Sequence, residues 1–198
     1  MTSAYPAPMT LADAIWPARS QADWRRMLIF AVLGTALLAV CAKIQVPLKP
    51  VPVTMQTFAV LLIGAAYGWR LGVATLLLYA AEGFVGLPVF AGATAGPAYF
   101  AGPTAGFLLG FVLAVAVVGG LAGKGWDRNP ATQAAALVIG NLVLYVPGLL
   151  WLQTFTGWGR LWQAGALPFL FGDALKLALA AVLLPLAWDI IQRARGDT

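Results

Sequence analysis

Long uncharged apolar runs alternate with short charged or proline-rich stretches along the chain. The uncharged runs cover 27–42, 50–69, 83–123 and 129–159. A charge at the bilayer centre costs about 2.5–3.5 kcal/mol or more, so these runs mark candidate membrane spans, each of which needs about 20 residues. The run 83–123 is too long for one span. Its middle, 87–103, is rich in Gly and Pro and predicts a loop between two helices.

These breaks predict an all-α integral membrane protein with six transmembrane helices in one bundle. The predicted helices lie near 26–43, 53–68, 70–87, 103–123, 131–151 and 167–192. The bundle forms a single domain, 26–192, between an N-terminal tail, 1–25, and a C-terminal tail, 193–198. The connection 43–53 holds several prolines and cannot continue a helix, so it must be buried in protein or line a cavity if it lies at membrane depth.

The basic residues predict which side of the membrane each loop faces. With the N-terminus inside, the cytoplasmic side holds Arg19, Arg25, Arg26, Arg70, Lys124, Arg128, Arg193 and Arg195, and the outer side holds Lys43, Lys49 and Arg160. This excess of Lys and Arg predicts that both termini are cytoplasmic and that the loops 43–53 and 87–103 face outward. In the N-terminal tail Thr10 and Asp13 have capping-box spacing, which leaves a short helix on the membrane surface and a disordered tail both open.

Composition supports a cytoplasmic-membrane, multi-pass protein and excludes most kinds of catalytic site. The chain is 61% apolar and 10% charged with a mean hydropathy of +0.85, against about 45–50% and about 25% in soluble proteins. It has no histidine and one cysteine, Cys41, and its serines, Ser3 and Ser20, both lie in the tail. Ser-His catalysis, disulfides and His or thiolate metal sites are therefore excluded, and we predict neither an enzyme nor a metal site. The net charge of +5 is scattered, so no nucleic-acid partner is expected.

A glycine-rich stretch at 119–125 superficially resembles a phosphate-binding loop. However, Val118 occupies the position where the motif requires its first glycine, and Gly125 occupies the position where it requires a serine or threonine hydroxyl. The chain therefore has no nucleotide-binding motif and cannot drive transport by its own ATP hydrolysis.

Three charges lie at least five residues from the ends of the predicted helices, and an ionisable residue at membrane depth is by default a functional candidate. Asp173 and Lys176 share one face of the last helix at i and i+3, so they can present an acceptor and a cation to one polar group. The alternative is a pair that only fixes helix register. Glu82 lies near a helix end, so its side chain can either have a functional role or simply reach the outer membrane interface.

Uncharged polar and aromatic residues add weaker candidates. Thr54 and Gln56 enter the second predicted helix, and Asn141 and Tyr145 lie in the fifth. Each can bind a ligand or bond a neighbouring helix. A small-residue stripe on the first helix, Ala31, Thr35 and Ala39, indicates a close helix contact, either inside the bundle or with a partner protein.

Four motifs then occur in order: Val51–Thr57 after a proline-rich loop, Gly86–Gly92, Gly102–Phe107 and Gly172–Lys176. With these motifs, residues 27–188 resemble the BioY family of biotin transporters, the biotin-binding S components of energy-coupling-factor (ECF) vitamin transporters. The resemblance implies a six-helix protein that captures biotin from outside, in a pocket covered by its first and third loops. It also implies a transmembrane coupling protein and two cytoplasmic ATPase subunits as partners, biotin as transported ligand and no cofactor.

By resemblance, Asp173 and Lys176 match the family's ligand-binding Asp and Lys, and Thr54 and Gln56 stand in its loop-to-helix motif. Biotin's ureido ring offers N–H donors beside a carbonyl, which suits Asp173 as acceptor and Lys176 as donor. Apolar walls are expected from Phe90, Tyr99 and Tyr145. The third loop, 87–103, lacks an amide or acidic side chain that could hold the ligand, and Asn141 could supply that contact instead. The stripe at Ala31, Thr35 and Ala39 resembles the surface that S components offer their coupling protein.

Three alternatives remain open at this stage: an S component for another vitamin, an ion-coupled secondary carrier of a small anionic metabolite with Glu82 and Asp173 relaying protons, and a structural bundle without a ligand. Self-association and the need for the coupling module are left open as well.

Overall fold

The computed structural model describes residues 10–17 and 23–195 and is dominated by helices. They are α1 (Leu11–Ile15), α2 (Trp24–Lys43), α3 (Gln56–Phe84), α4 (Pro97–Phe100), α5 (Ala105–Ala122), α6 (Pro130–Thr156), α7 (Leu161–Gly165) and α8 (Leu167–Arg195), with a 3-10 turn at Trp158–Arg160 and strands β1 (Gln45–Val46) and β2 (Val53–Thr54). By length and composition, five described stretches can cross a membrane: 24–43, 56–84, 105–122, 130–156 and 158–191.

The apolar helix α3 folds back on itself at Gly68. That residue has φ 74° and ψ 176°, a conformation that favours glycine because it has no Cβ. The side chains of Gln56 and Tyr79 are hydrogen-bonded at 2.8 Å, whereas a straight helix would separate residues 23 positions apart by about 35 Å. The segment is therefore a helical hairpin with arms 56–67 and 69–84, and the break predicted between 68 and 70 falls at Gly68.

Helix α5 lies between α3 and α6 and shares its most extensive contacts with them. The backbones of α5 and α6 come close at Gly110, where a Cβ would lie 2.4 Å from the Leu144 carbonyl oxygen. The core around this contact includes the buried Cys41. Pro147 stands inside α6, which continues to Thr156. The predicted end of this helix at 151 is therefore too early.

In the N-terminal segment, where the sequence leaves a short surface helix and a disordered tail both open, the helix α1 packs on the bundle. Thr10 and Asp13 form the predicted capping box. Leu11 is buried in a cluster with Leu61, Val118 and Leu184, among other residues of α3, α5, α6 and α8. The predicted cytoplasmic Arg19 and Ser20 lie outside the described residues, as do residues 1–9 and 196–198.

Both long connections lie at the same end of the bundle. In the first, β1 and β2 pair antiparallel, with Gln45 opposite Thr54, which agrees with the predicted non-helical backbone. The second, 85–104, contains α4. Lys43 at the end of α2 donates hydrogen bonds from its Nζ to the carbonyl oxygens of Phe90 (2.8 Å) and Gly92 (3.0 Å). This lysine fastens the second connection to α2.

Candidate functional site

A partly open cavity lies beneath these two connections, between the connection that holds β1 and β2 and the helices α3, α5, α6 and α8. Its walls are mainly apolar and aromatic, with a few polar groups, and its volume is about 40 Å³, room for roughly three water molecules. The polar side chains of the lining are Thr54, Gln56, Thr57, Thr104 and Lys176, and the aromatic ones are Tyr99, Phe107, Phe111, Tyr145 and Phe169. Such a mixture is typical of small-molecule sites.

Beside the cavity, Asp173 is the acceptor at the centre of a buried polar cluster. Its Oδ1 accepts from Lys176 Nζ at 2.9 Å and from the Thr57 hydroxyl at 3.4 Å. Its Oδ2 accepts from Asn141 Nδ2 at 3.3 Å and from the Tyr145 hydroxyl at 2.5 Å. An ionised carboxylate has about four acceptor positions, so donors from α3, α6 and α8 occupy all of them.

Lys176 faces both the cluster and the cavity. Its Nζ donates to Asp173 and, at 3.0 Å, to the Thr57 hydroxyl. An ammonium group has three N–H donors, so one remains for a further acceptor. The lysine is only 6% exposed, and a buried cation of this kind gains from every acceptor it can reach.

Asn141, in contrast, has an unused hydrogen-bond acceptor. Its Nδ2 is committed to Asp173, while its Oδ1 is buried and has no hydrogen-bond partner among the described residues. An unpaired buried acceptor costs about 1–3 kcal/mol. The cluster thus holds a spare acceptor on Asn141 and a spare donor on Lys176.

A second hydrogen-bonded chain connects the cavity wall to the long loop. The Thr54 hydroxyl donates to Gln56 Oε1 at 3.2 Å, and Gln56 Nε2 donates to the Tyr79 hydroxyl. Tyr79 in turn donates to the Val89 carbonyl oxygen at 2.7 Å. Thr54 and Gln56 line the cavity, and Tyr79 connects them to the loop 85–104.

The predicted aromatic residues take different positions. Tyr99 and Tyr145 line the cavity, whereas Phe90 is fully buried and does not belong to its lining. Phe90 stacks on Tyr99 with ring centroids 4.3 Å apart, so its expected place in the wall is corrected to a support behind Tyr99. Burial raises the pKa of the Tyr99 hydroxyl, which keeps this group protonated and uncharged.

The small-residue stripe of α2 faces inward. Ala31 and Thr35 are buried and Ala39 is half-buried, and the Thr35 hydroxyl donates to Glu82 Oε1 at 3.0 Å. A partner surface formed by these residues is therefore corrected to internal packing against α3. Glu82 and Asp173 share no hydrogen-bond partner among the described residues, so the proton relay suggested for them has no such connection here.

Three residues of the site were absent from the predicted set. Thr57 bridges Lys176 and Asp173, Tyr79 holds the loop, and Lys43 fastens it. Thr57 stands one residue after Gln56 at the start of a helix, and Tyr79 is a polar group inside an apolar run. The contacts of Tyr79 and Lys43 depend on the turn at Gly68 and on the path of the loop, which residue type alone does not show.

Comparison with known proteins covers nearly the whole chain. A model of the BioY family matches residues 14–193. This chain belongs to the BioY family. The match begins within α1, so this helix, absent from the predicted resemblance at 27–188, falls partly inside the family's extent.

Relatives within the BioY family are similar along most of their length. A protein described as a probable biotin transporter BioY, from Pyrococcus horikoshii, is 37% identical over 166 residues, 84% of this chain and 94% of that protein. The biotin transporter BioY of Thermotoga maritima is 37% identical over 159 residues, 80% and 93% of the two chains. The biotin transporter BioY of Rhodobacter capsulatus is 39% identical over 170 residues, 78% and 87% of the two chains.

A solved structure supports the fold. The crystal structure of the S-component for biotin from an ECF-type ABC transporter matches with a TM-score of 0.66 over 90% of this chain and 95% of that one, at 20% identity. At that identity the likeness establishes the S-component fold for this BioY chain, a helical membrane protein.

Proposed function

We propose that this chain captures biotin in the cavity beside Asp173 and serves its uptake as the substrate-binding S component of an ECF-type transporter. The observation that carries the proposal is the buried cluster around Asp173 in a BioY-family chain. Within it Lys176 has a spare donor and lines the apolar, aromatic cavity, and Asn141, which bonds to Asp173, has a spare acceptor.

The spare groups complement the ureido ring of biotin. The free N–H of Lys176 donates to the ureido carbonyl, and Asn141 Oδ1 accepts from one ureido N–H. The second N–H bonds Asp173 in exchange for the Tyr145 hydroxyl, because all four acceptor positions of Asp173 are already filled. Both bonds to charged groups are of the stronger, charge-assisted kind.

The walls suit the rest of the ligand. Tyr99 and the ring of Tyr145, together with Phe107 and Phe169, which stack at 6.3 Å, pack against the thioether ring and the valeryl chain. Thr54 and Gln56 supply polar contacts on the α3 side. Because the cavity holds only about 40 Å³, the loop 85–104 moves outward when biotin enters.

For the membrane topology we propose six crossings, counting the two arms of α3 separately, with both termini in the cytoplasm and the covered site at the outer face of the cytoplasmic membrane. The excess of Lys and Arg at the end opposite the site supports this orientation. A transmembrane coupling protein and two ATPase subunits are the proposed partners, and the absence of a nucleotide motif in the sequence fits this division.

Equilibrium binding of biotin to the purified protein, with thiamine and riboflavin as competitors, tests the ligand. Biotin should bind and the other vitamins should not displace it. Asp173→Asn should weaken binding by about 100-fold, from the loss of charge-assisted bonds. Asp189→Asn, on an exposed position of the same helix, is the matched control and should bind normally. Equal affinity in both variants would contradict the proposed site.

Uptake into cells or vesicles, with and without candidate coupling proteins, tests the second half of the proposal. Biotin uptake that needs ATP and the coupling module supports an S component. If biotin uptake needs neither ATP nor the coupling module and stops when the proton gradient is collapsed, the ion-coupled carrier would be favoured instead.

A further inference from the structure

A second cavity lies at the end of the bundle opposite the candidate site. It has a volume of about 400 Å³ and is bounded by α1, the start of α2, the turn at Gly68 and the end of α5. Its charged lining residues are Asp13, Arg26 and Arg70. Two cations against one anion leave a net charge of +1, so the lining favours a negatively charged occupant. We call this space the arginine cavity.

Arg26 is incompletely paired although its side chain is only 7% exposed. Its Nη2 donates to Asp13 Oδ1 at 2.7 Å, and its Nε is buried without a hydrogen-bond partner among the described residues. A guanidinium has five N–H donors, and a buried charge is costly unless its donors are satisfied.

Asp13 cannot supply the missing acceptor. Its Oδ2 accepts from the hydroxyl of Thr10 at 2.8 Å and from the Thr10 backbone N–H at 3.2 Å. The capping box of α1 thus occupies the oxygen that a bidentate pair with Arg26 would need. A further anion with several oxygens would satisfy what Asp13 leaves open.

The rim of the arginine cavity has the character of a membrane interface. Trp69 is 52% exposed, and the guanidinium of Arg70 lies 5.3 Å from the centroid of its ring. Exposed Trp beside Arg at a helix end is typical of the headgroup region of a bilayer. Basic pockets between helices in that region bind lipid phosphates.

We propose that the arginine cavity binds a phosphate group, with Arg26 and Arg70 donating to its oxygens. The phosphate can reach the cavity on an anionic phospholipid such as phosphatidylglycerol or as free inorganic phosphate. This site is separate from the proposed biotin site, because the two cavities share no lining residue among those described.

Native mass spectrometry of the purified protein in equimolar phosphatidylglycerol and phosphatidylcholine tests the lipid. In a second arm, inorganic phosphate is titrated while the thermal midpoint is measured in a neutral detergent, with chloride at matched ionic strength. Arg70→Gln changes an exposed residue of the rim, and Arg160→Gln changes an exposed arginine at the other end of the bundle. The thermal midpoints of both variants, measured without phosphate, show that they are folded.

Retention of phosphatidylglycerol over phosphatidylcholine, reduced about tenfold in Arg70→Gln and unchanged in Arg160→Gln, would support a lipid phosphate. A phosphate-dependent rise in the midpoint that Arg70→Gln loses, without lipid preference, would support free phosphate. The proposal is overturned if neither arm shows binding, or if both variants change the result equally. Biotin appears in neither arm, so failure here is distinct from failure of the proposed function.

Discussion

Two ion pairs occur among the described residues, one near each end of the bundle, and they are built differently. In the pair Asp173–Lys176 both side chains are less than a tenth exposed. In the pair Asp13–Arg26 the arginine is equally buried but the aspartate is 36% exposed. Three further side chains, from α3 and α6, bond to Asp173, whereas Asp13 bonds beyond Arg26 only within its own capping box among the described contacts.

The comparison teaches that an ion pair alone does not mark a binding site. Desolvation can exceed the Coulombic gain of a buried pair, so the neighbours decide what the pair does. Asp173 and Lys176 are surrounded by polar groups from other helices and leave a donor and an acceptor unused beside a cavity. Asp13 and Arg26 fasten α1 to α2; Arg26 keeps an unpaired donor at the arginine cavity, but no spare acceptor stands beside it among the described residues.

The largest effect is expected for Lys176→Met. This change leaves the Asp173 carboxylate buried without its cation, which should lower the free energy of unfolding by about 3–5 kcal/mol. Biotin affinity should fall by about 100-fold. Unfolding in mixed detergent micelles and calorimetric biotin binding measure the two effects.

The double variant Asp173→Leu with Lys176→Met is the control for this prediction. Replacing a buried pair by apolar side chains is often neutral, so most of the stability should return while biotin binding stays lost. A double variant that binds biotin like the wild type would show that the pair only fixes helix register.

Tyr145→Phe should have opposite effects on stability and binding. Losing the hydroxyl that donates to Asp173 should lower the unfolding free energy by about 1.5–3 kcal/mol. Biotin should bind as well as before or up to about tenfold more tightly, because Asp173 is already free to accept the ureido N–H. A tenfold weaker binding would instead mean that the hydroxyl contacts the ligand itself.

At the other end, Asp13→Asn should cost only about 1 kcal/mol, because the aspartate is partly solvated and the amide oxygen of Asn can still accept from the buried Arg26. Biotin affinity should stay unchanged, since Asp13 is remote from the proposed site. Thermal unfolding beside biotin binding measures both, and a loss of binding would contradict the separation of the two ends.

The smallest effect concerns Asp127, which lies between α5 and α6 and accepts a hydrogen bond from Trp188 Nε1 at 3.0 Å. Burial raises the pKa of this carboxyl, so the folded state binds its proton more readily than the unfolded state. This difference adds to the free energy of unfolding below the pKa of the unfolded state, about 3.9. The contribution is lost as the pH rises through the raised pKa of the folded state.

The matched variant for this titration is Asp127→Asn, which has no charge to desolvate. The difference in thermal midpoint, Asp127→Asn minus wild type, should be larger at about pH 7 than at about pH 4. A difference between the two midpoints that does not change with pH would exclude Asp127 as the titrating group.

Much of the bundle could be predicted because charge is so expensive in a bilayer. The gaps between charges located α2, α5 and the start of α8 within about two residues, and the break near Gly68 followed from the basic residue beside it. The extent of α6 and the packing of α1 could not be predicted. Pro147 is tolerated where neighbouring helices satisfy the freed backbone groups, and Leu11 is buried only because four helices converge around it.

In the candidate site, charge and polarity within apolar runs identified Lys176, Asn141 and Tyr145, which the structure brings together around Asp173, but not Thr57, which bonds to the same carboxylate. Phe90 and the stripe of Ala31, Thr35 and Ala39 show the limit of such patterns. An aromatic ring near a loop or a row of small side chains fits an exposed and a buried face equally well, and only packing decides between them.

The two hydrogen bonds from Lys43 to the loop carbonyls bear on the kinetics of the site. In the proposed binding of biotin the loop 85–104 moves outward, which would break these two hydrogen bonds before the ligand enters or leaves the cavity of about 40 Å³. Association that waits for such an opening is slower than diffusion allows. The same fastening slows escape, so a long residence time of bound ligand follows from a lysine that lies outside the cavity.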